Sequence, residues 1–398
     1  MKVLFLSPVS YFKGGAERSL FDLFKNPKIE ALVAAPSDGE LVSAAKDQGL
    51  KTSIIPFGQI ESIHRPFKFL SVPYALRDLY QAARQLKSIS AEHEIKIVHS
   101  NGLKAHVVNC LAERMGGAPA VLHIRDIPYT ASEKAVWYML QKTASQMVIV
   151  SRACWPGKSL PKNVSVIYNG ADAVGLPATI ADDVTTNQLM TTPTEYCKST
   201  VSTIEPERSI LNVPFKPILT LGFVGRIHPA KGLHLLLDWL AAARTASISA
   251  RLIVRGKFSA DAPEYEEAIL SQIRALELDD YVEFANFVDN PDEIYRPLDI
   301  VVVPSHVPDP LPRSVMESMA HGVPVIGYPA GGIGEMIVDG ETGYLAKNEA
   351  EFIAAVQSIT GDSSVKTKLC LQGKHRIDNL FSIQALHNNM EFVYKKCV

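Results

Sequence analysis

Short apolar runs that do not alternate with polar residues recur along the chain, and longer polar stretches with helical periodicity separate them. In the first half these runs are Lys2–Ser7, Ala31–Ala35, Thr52–Ile55, Ile95–His99, Ala120–His123 and Met147–Val150. In the second half they are Leu219–Val224, Arg251–Val254, Tyr281–Phe284, Ile300–Val303 and Val323–Ile326. A strand without alternation is buried on both faces, as in a parallel sheet covered by helices. Strands and helices in turn predict doubly wound α/β domains, with ligands at the carboxyl ends of the strands. Asn169-Gly170 is a strong turn signal, and the run Val164–Asp172 closes a first domain over 1–172. Residues 173–206 are rich in Thr, Ser, Asp and Pro, lack periodicity, and read as an irregular interdomain segment. A second domain follows over 207–381, and 382–398 reads as a final helix.

Composition removes several function classes. The net charge of −2 offers no bulk electrostatic case for nucleic acid. No apolar run approaches the roughly 18 residues of a membrane span. The run from Met1 to Pro8 is too short for a signal peptide and reads as the first strand. Five scattered cysteines with no CxxC pair point to neither a disulfide framework nor a zinc site, so the cytosol is the default compartment. Asp182-Asp183 reads as a charged loop. One stretch, His64–Ser90, is locally basic, with Arg65, Lys68, Arg77, Arg84 and Lys87 set among Phe67, Phe69, Leu70, Leu76, Leu79 and Tyr80. Such a stretch can lie on an anionic membrane surface at its inner face, or can be a solvated helix with one side packed on a sheet.

Four places carry candidate chemistry. Gly14-Gly15 lies between the first strand and a helix, an arrangement that lets backbone and helix N-terminus approach a phosphate or that simply makes a tight turn. It is not GxGxxG, which argues against a dinucleotide site. Arg226 and Lys231, in Gly225-Arg226-Ile227-His228-Pro229-Ala230-Lys231-Gly232, place two cations at the mouth of a helix. Arg can chelate phosphate oxygens and Lys acts as a point charge; salt bridges to nearby acids are the plain alternative. His123, ahead of Arg125-Asp126, ends a strand, as His99 does; a histidine there is either a packed structural residue or a site residue. Finally, Asp309 and Glu317 flank a strand–helix–strand unit, with Pro312 expected in the first helical turn and Gly322 as the C-terminal cap. They serve either as a helix cap and a solvated acid, or as acceptors for sugar hydroxyls beside amides that face a phosphate.

Taken in order, these motifs resemble the retaining GT-B glycosyltransferases of family four. The similarity covers Gly-Gly-Ala-Glu-Arg, the histidine before Arg-Asp, Asn-Gly-x-Asp, Gly-Arg-x4-Lys-Gly and the acid-x7-acid signature. Where most members have Glu and then Gly-Phe-Gly, this chain has Asp309-Pro310-Leu311-Pro312. The resemblance implies two Rossmann-like domains facing a cleft, with the last helix crossing back onto the first domain. It implies that Arg226 and Lys231 bind the donor's diphosphate, Glu317 the ribose and Asp309 the donor sugar. His123 would lie against that sugar. Gly14, Gly15, Gly256, Val288, Leu311 and Arg313 would complete the donor site, and the second glycine loop, Gly331-Gly332-Ile333-Gly334-Glu335, looks like a further phosphate or sugar cradle. No metal and no cofactor is implied; the partners are a nucleotide-sugar donor and a glycan or lipid-linked acceptor. The expected activity is same-face transfer of a sugar, in bacterial surface polysaccharide or lipopolysaccharide assembly. The rivals are a sugar-nucleotide epimerase of the same fold and a non-catalytic sugar-nucleotide-binding subunit, the latter prompted by Asp309 and Pro312.

Overall fold

The computed structural model describes residues 1–11, 15–61, 72–172, 174, 218–285, 288 and 290–398. Gly14, Arg65, Lys68, Asp182, Asp183 and nearly all of the expected irregular segment 173–206 lie outside them. Two parallel sheets form the frame. The first is seven-stranded, in the order β3-β2-β1-β4-β5-β6-β7. Its strands are β1 (Lys2–Leu6), β2 (Glu30–Ala35), β3 (Lys51–Ile54), β4 (Ile97–Asn101), β5 (Ala120–Ile124), β6 (Gln146–Ile149) and β7 (Val164–Val166). The second is six-stranded, in the order β10-β9-β8-β11-β12-β13. It comprises β8 (Leu219–Val224), β9 (Ala250–Arg255), β10 (Val282–Ala285), β11 (Ile300–Val303), β12 (Val325–Gly327) and β13 (Tyr344–Leu345). Val3, Phe5, Val301 and Val325, in central strands, are fully buried, as unalternating runs require.

Strand order reverses between β1 and β4 in the first sheet and between β8 and β11 in the second. In open α/β sheets the crevice at such a switch point, beyond the carboxyl ends of the strands, is where ligands bind. The loops after β1, β8 and β11 are therefore the ones that matter.

The last helix, Ile383–Lys395, packs on the first domain. Its Leu386, Met390, Val393 and Tyr394 are buried in one apolar cluster with Val3, Phe5, Leu20 and Phe24. The crossing is pinned by backbone: Ala171 N–H donates to Phe381 O at 2.7 Å, and Ile383 N–H to Ala171 O at 3.2 Å. Gly170 makes the approach possible, since a Cβ there would sit 2.7 Å from Ile383 Cα. A second cluster spans both domains, joining Leu122, Trp137 and Cys154 to Val315, Ile333 and Met336.

The helix Val72–Glu92 shows both faces expected of the basic stretch. Ala82, Ala83 and Leu86 are buried, while Leu76, Arg77, Tyr80 and Arg84 are exposed. Lys87 Nζ donates to Met115 O at 2.6 Å. Among the described residues no helix is long and apolar enough to cross a membrane.

Candidate active site

Arg226 and Lys231 follow β8, and Asp309 follows β11, so the second domain's switch point gathers three of the expected groups. The cations do not sit at the mouth of a long helix directly. Pro229–Lys231 is a single 3-10 turn, and Gly232, at φ 75°, links it to the helix Leu233–Thr245. Only glycine suits that position: the left-handed conformation favours it, and a Cβ would lie 2.1 Å from Pro304 O. This approach brings the β8 loop against the end of β11 and lets Lys231 Nζ pair with Asp309 Oδ2. Arg226 is more open, with 57% of its side chain exposed; its nearest acid is Asp261 at 3.6 Å. Gly256 has the same packing role as Gly232, since a Cβ there would meet Gly225 O at 1.9 Å.

The acid pair is held differently at each end. Asp309 Oδ1 accepts from Leu311 N–H at 3.2 Å, which makes a turn after β11. Pro312 is the N-cap of the helix Arg313–Ala320, with ψ 123°, one place before the first turn where the sequence put it. Pro312 has no backbone N–H, so the donor that a glycine would offer at this position is missing. Gly322, at φ 67°, follows the C-cap His321, as its spacing implied. Glu317 Oε1 accepts from Arg313 Nε at 2.9 Å and Glu317 Oε2 from Tyr295 O–H at 2.8 Å. Burial, then the carboxylate of Glu317, pushes the Tyr295 hydroxyl well above its usual pKa, so it remains a donor.

Arg313 links this half of the site to the first domain. Its NH1 donates to Asp22 Oδ2 at 2.9 Å and to Ser19 Oγ at 3.2 Å, both on the helix Gly15–Phe24. A Cβ on Gly15 would lie 3.5 Å from Arg313 Cδ, so the described glycine of the first loop borders the arginine that holds Glu317. Val288 packs against the apolar cluster that spans the domains, and Leu311 is buried.

His123 is fully buried at the carboxyl end of β5 rather than presented to solvent. Its Nδ1 lies 3.1 Å from His99 Nε2, and His99 Nδ1 lies 2.7 Å from Tyr394 Oη. The two strand-end histidines thus belong to one network. Arg125 Nε donates to Asn101 Oδ1 at 2.8 Å, its NH1 donates to Asn169 Oδ1, and its NH2 lies 3.4 Å from His123 Nδ1. Burial pulls Arg125 down to about 10, which leaves it charged at neutral pH.

The second glycine loop does two jobs that its pattern did not reveal. Gly332 N–H donates to Asp309 O at 2.7 Å, and a Cβ on Gly331 would lie 2.1 Å from the same oxygen, so the loop is stacked on the Asp309 turn. Glu335 then reaches the first domain, accepting from Arg152 N–H at 2.8 Å and Ala153 N–H at 3.0 Å, with Tyr168 O–H at 3.3 Å. In this structure the loop is an interdomain brace. Tyr129 O–H makes a further crossing, donating to Pro308 O at 2.8 Å. The sequence reading does not single out Asp22, Ser19 or Tyr295; the signal available for Asp22 is an acid set among the apolar residues Leu20, Phe21, Leu23 and Phe24.

Comparison with known proteins bears on the fold and on the class of the second domain. Residues 219–362 match the family described as Glycosyl transferases group 1. The chain is 30% identical over 158 residues to a lipopolysaccharide 1,2-N-acetylglucosaminetransferase of Salmonella typhimurium, covering 38% of this chain and 41% of that one. It is 28% identical over 177 residues to the capsular polysaccharide biosynthesis glycosyltransferase CapM of Staphylococcus aureus, covering 44% and 45%. The chain thus spans under half the length of these curated relatives. Over nearly its whole length it is similar in structure to Anabaena Alr3699/HepE in complex with UDP, with a TM-score of 0.75, 21% identity, and 99% and 100% of the two chains covered. The two parallel-sheet domains are those of the GT-B fold, and the second, which holds Arg226, Lys231, Asp309 and Glu317, matches a glycosyl transferases group 1 domain.

Proposed function

We propose that the chain is a retaining glycosyltransferase that moves a sugar from a nucleotide-diphosphate sugar to a hydroxyl of a glycan or lipid-linked acceptor, in bacterial surface polysaccharide or lipopolysaccharide assembly. The observation that carries this reading is the gathering of Arg226, Lys231 and Asp309 at the second domain's switch point, with Glu317 on the adjoining helix. The UDP held by a protein of the same fold supports a nucleotide donor, and the names of the two curated relatives support the biological setting.

The chemistry follows from charge. As the sugar's C1–O bond breaks, negative charge grows on the departing diphosphate, and fixed cations stabilise it without reorganisation. Arg226 and Lys231 supply that charge. Lys231 must first leave Asp309, which frees the Asp309 carboxylate to accept from a sugar hydroxyl. Glu317, held by Arg313 and Tyr295, is oriented for the ribose. The acceptor attacks from the face the diphosphate leaves, and a donor phosphate oxygen takes its proton. The first domain holds the acceptor, and the exposed Leu76, Arg77, Tyr80 and Arg84 would lie on the anionic bilayer surface that carries a lipid-linked one. The test is transfer from an α-linked donor to free and vesicle-borne acceptors, with the product anomer read by NMR. The proposal expects an α product and faster turnover on anionic than on neutral vesicles. A β product contradicts retention, and equal rates contradict the membrane contact.

A further inference from the structure

The buried chain Tyr394–His99–His123 joins the crossing helix to the carboxyl end of β5, and it ends on an atom without a partner. His123 Nε2 is buried and makes no hydrogen bond among the described residues. Buried polar groups in native structures are almost always satisfied, so an orphan near the carboxyl end of β5, the end of the sheet at which ligands bind, points to a partner that the ligand brings. Whether that atom is a donor or an acceptor depends on the tautomer, and the tautomer is set by the neighbours of the other ring nitrogen.

The direction of the chain can be worked out from its ends. Arg125 can only donate, and its NH2 faces His123 Nδ1 at 3.4 Å. Asn101 and Asn169 hold the guanidinium in place. A proton on His123 Nδ1 would therefore face another N–H, so Nδ1 is the accepting nitrogen. It follows that His99 Nε2 carries its proton and donates to His123 Nδ1 across 3.1 Å. His99 Nδ1 must then accept, and the hydroxyl 2.7 Å away is that of Tyr394, which can donate. Burial holds the Tyr394 hydroxyl well above its usual pKa, so that proton stays. Each link agrees with the next.

We propose that Tyr394 and His99 are positioning residues that lock His123 in its neutral Nε2–H form, so that His123 presents one fixed hydrogen-bond donor to an oxygen of the bound ligand, a sugar hydroxyl or a phosphate. The last helix thereby contributes to the site, although Tyr394 touches no ligand. The ligand end of this inference rests on the transferase reading; the tautomer end does not. Burial first, and then Arg125, holds both imidazoles well below 6.5. His106 acts in the same sense, and the acids near this cluster, Asp22, Glu17 and Asp126, act on Arg125. The pair accordingly stays neutral through the physiological range.

The experiment is long-range proton–nitrogen NMR on the full chain with labelled imidazoles, the signals being assigned by His99→Asn and His123→Asn. In the unsubstituted protein both rings should show the neutral Nε2–H pattern, unchanged between about pH 5.5 and pH 8. A His123 proton on Nδ1, or an imidazolium that titrates in this range, overturns the proposal without any assay of activity. Tyr394→Phe removes the hydroxyl and keeps the ring. It should let His99 and His123 exchange between tautomers and lower kcat about tenfold, with donor Kd changed less than about twofold. Fixed tautomers and an unchanged kcat in that variant would also overturn it. If no nucleotide-sugar binds the unsubstituted protein, the transferase reading fails while the tautomer result still stands or falls alone.

Discussion

Changing Arg226 and Lys231 together to Ala should lower sugar transfer on the order of a thousandfold and leave a folded protein. A charge-assisted hydrogen bond contributes about 1.5–3 kcal/mol, and two of them convert to roughly two to four powers of ten. The loss should not come from unfolding. Arg226 is 57% exposed and its nearest acid, Asp261, is 61% exposed, so solvent screens this surface pair and its loss costs little stability. Lys231 is the more integrated of the two, because Asp309 is only 12% exposed and loses its cation when Lys231 goes. Leu311 N–H remains to it, which limits the expected cost to about 1–3 kcal/mol. The measurement is kcat/KM for the donor, with thermal unfolding alongside. A double variant that transfers at the original rate would show that these cations serve only as salt-bridge partners.

Asp309→Asn should separate binding from turnover, because the free protein holds Lys231 in competition with the diphosphate. Removing the carboxylate frees Lys231, while the amide oxygen can still accept from Leu311 N–H. Affinity for the bare nucleoside diphosphate should stay the same or tighten up to about tenfold. Transfer should fall about 10–100-fold, since the hydroxyl contact loses its charge, a change of about 1.5–3 kcal/mol. Calorimetry with the nucleoside diphosphate and initial rates with the sugar donor check the two halves. Affinity and rate that fall in parallel would mean that Asp309 shapes the turn after β11 and does not address the sugar.

The same pairs show what the sequence could disclose and what it could not. Strand–loop–helix units are local, so the loops after β1, β8 and β11 were legible from apolar runs and glycines, and with them Gly15, Arg226, Lys231, Asp309 and Glu317. Pro312 was misplaced by one position because a proline suits both the first turn and the residue before it. The contacts that tie the halves together were not legible. Arg313 meets Asp22 across 291 positions, Glu335 meets Arg152 across 183, and Tyr394 meets His99 across 295. No periodicity records such pairings; they exist because two sheets and a returning helix are packed. His123 illustrates the mixed case. Its place at a strand end could be read, but its burial against His99 depends on the register of β4 with β5, where Asn101 is aligned with His123. Glu335 was visible beside its glycines, yet its partners are amides of the other domain.

The central claim is that the second domain's switch point holds a nucleotide-diphosphate sugar. Calorimetry of UDP-, GDP-, dTDP- and ADP-sugars against the intact chain and against Glu317→Ala tests it most directly. The account predicts one clear binder, with affinity reduced at least tenfold in the variant, because Glu317 is held by Arg313 and Tyr295 on the helix Arg313–Ala320 that follows the Asp309 turn. A panel without a binder, or a binder indifferent to Glu317, would contradict it.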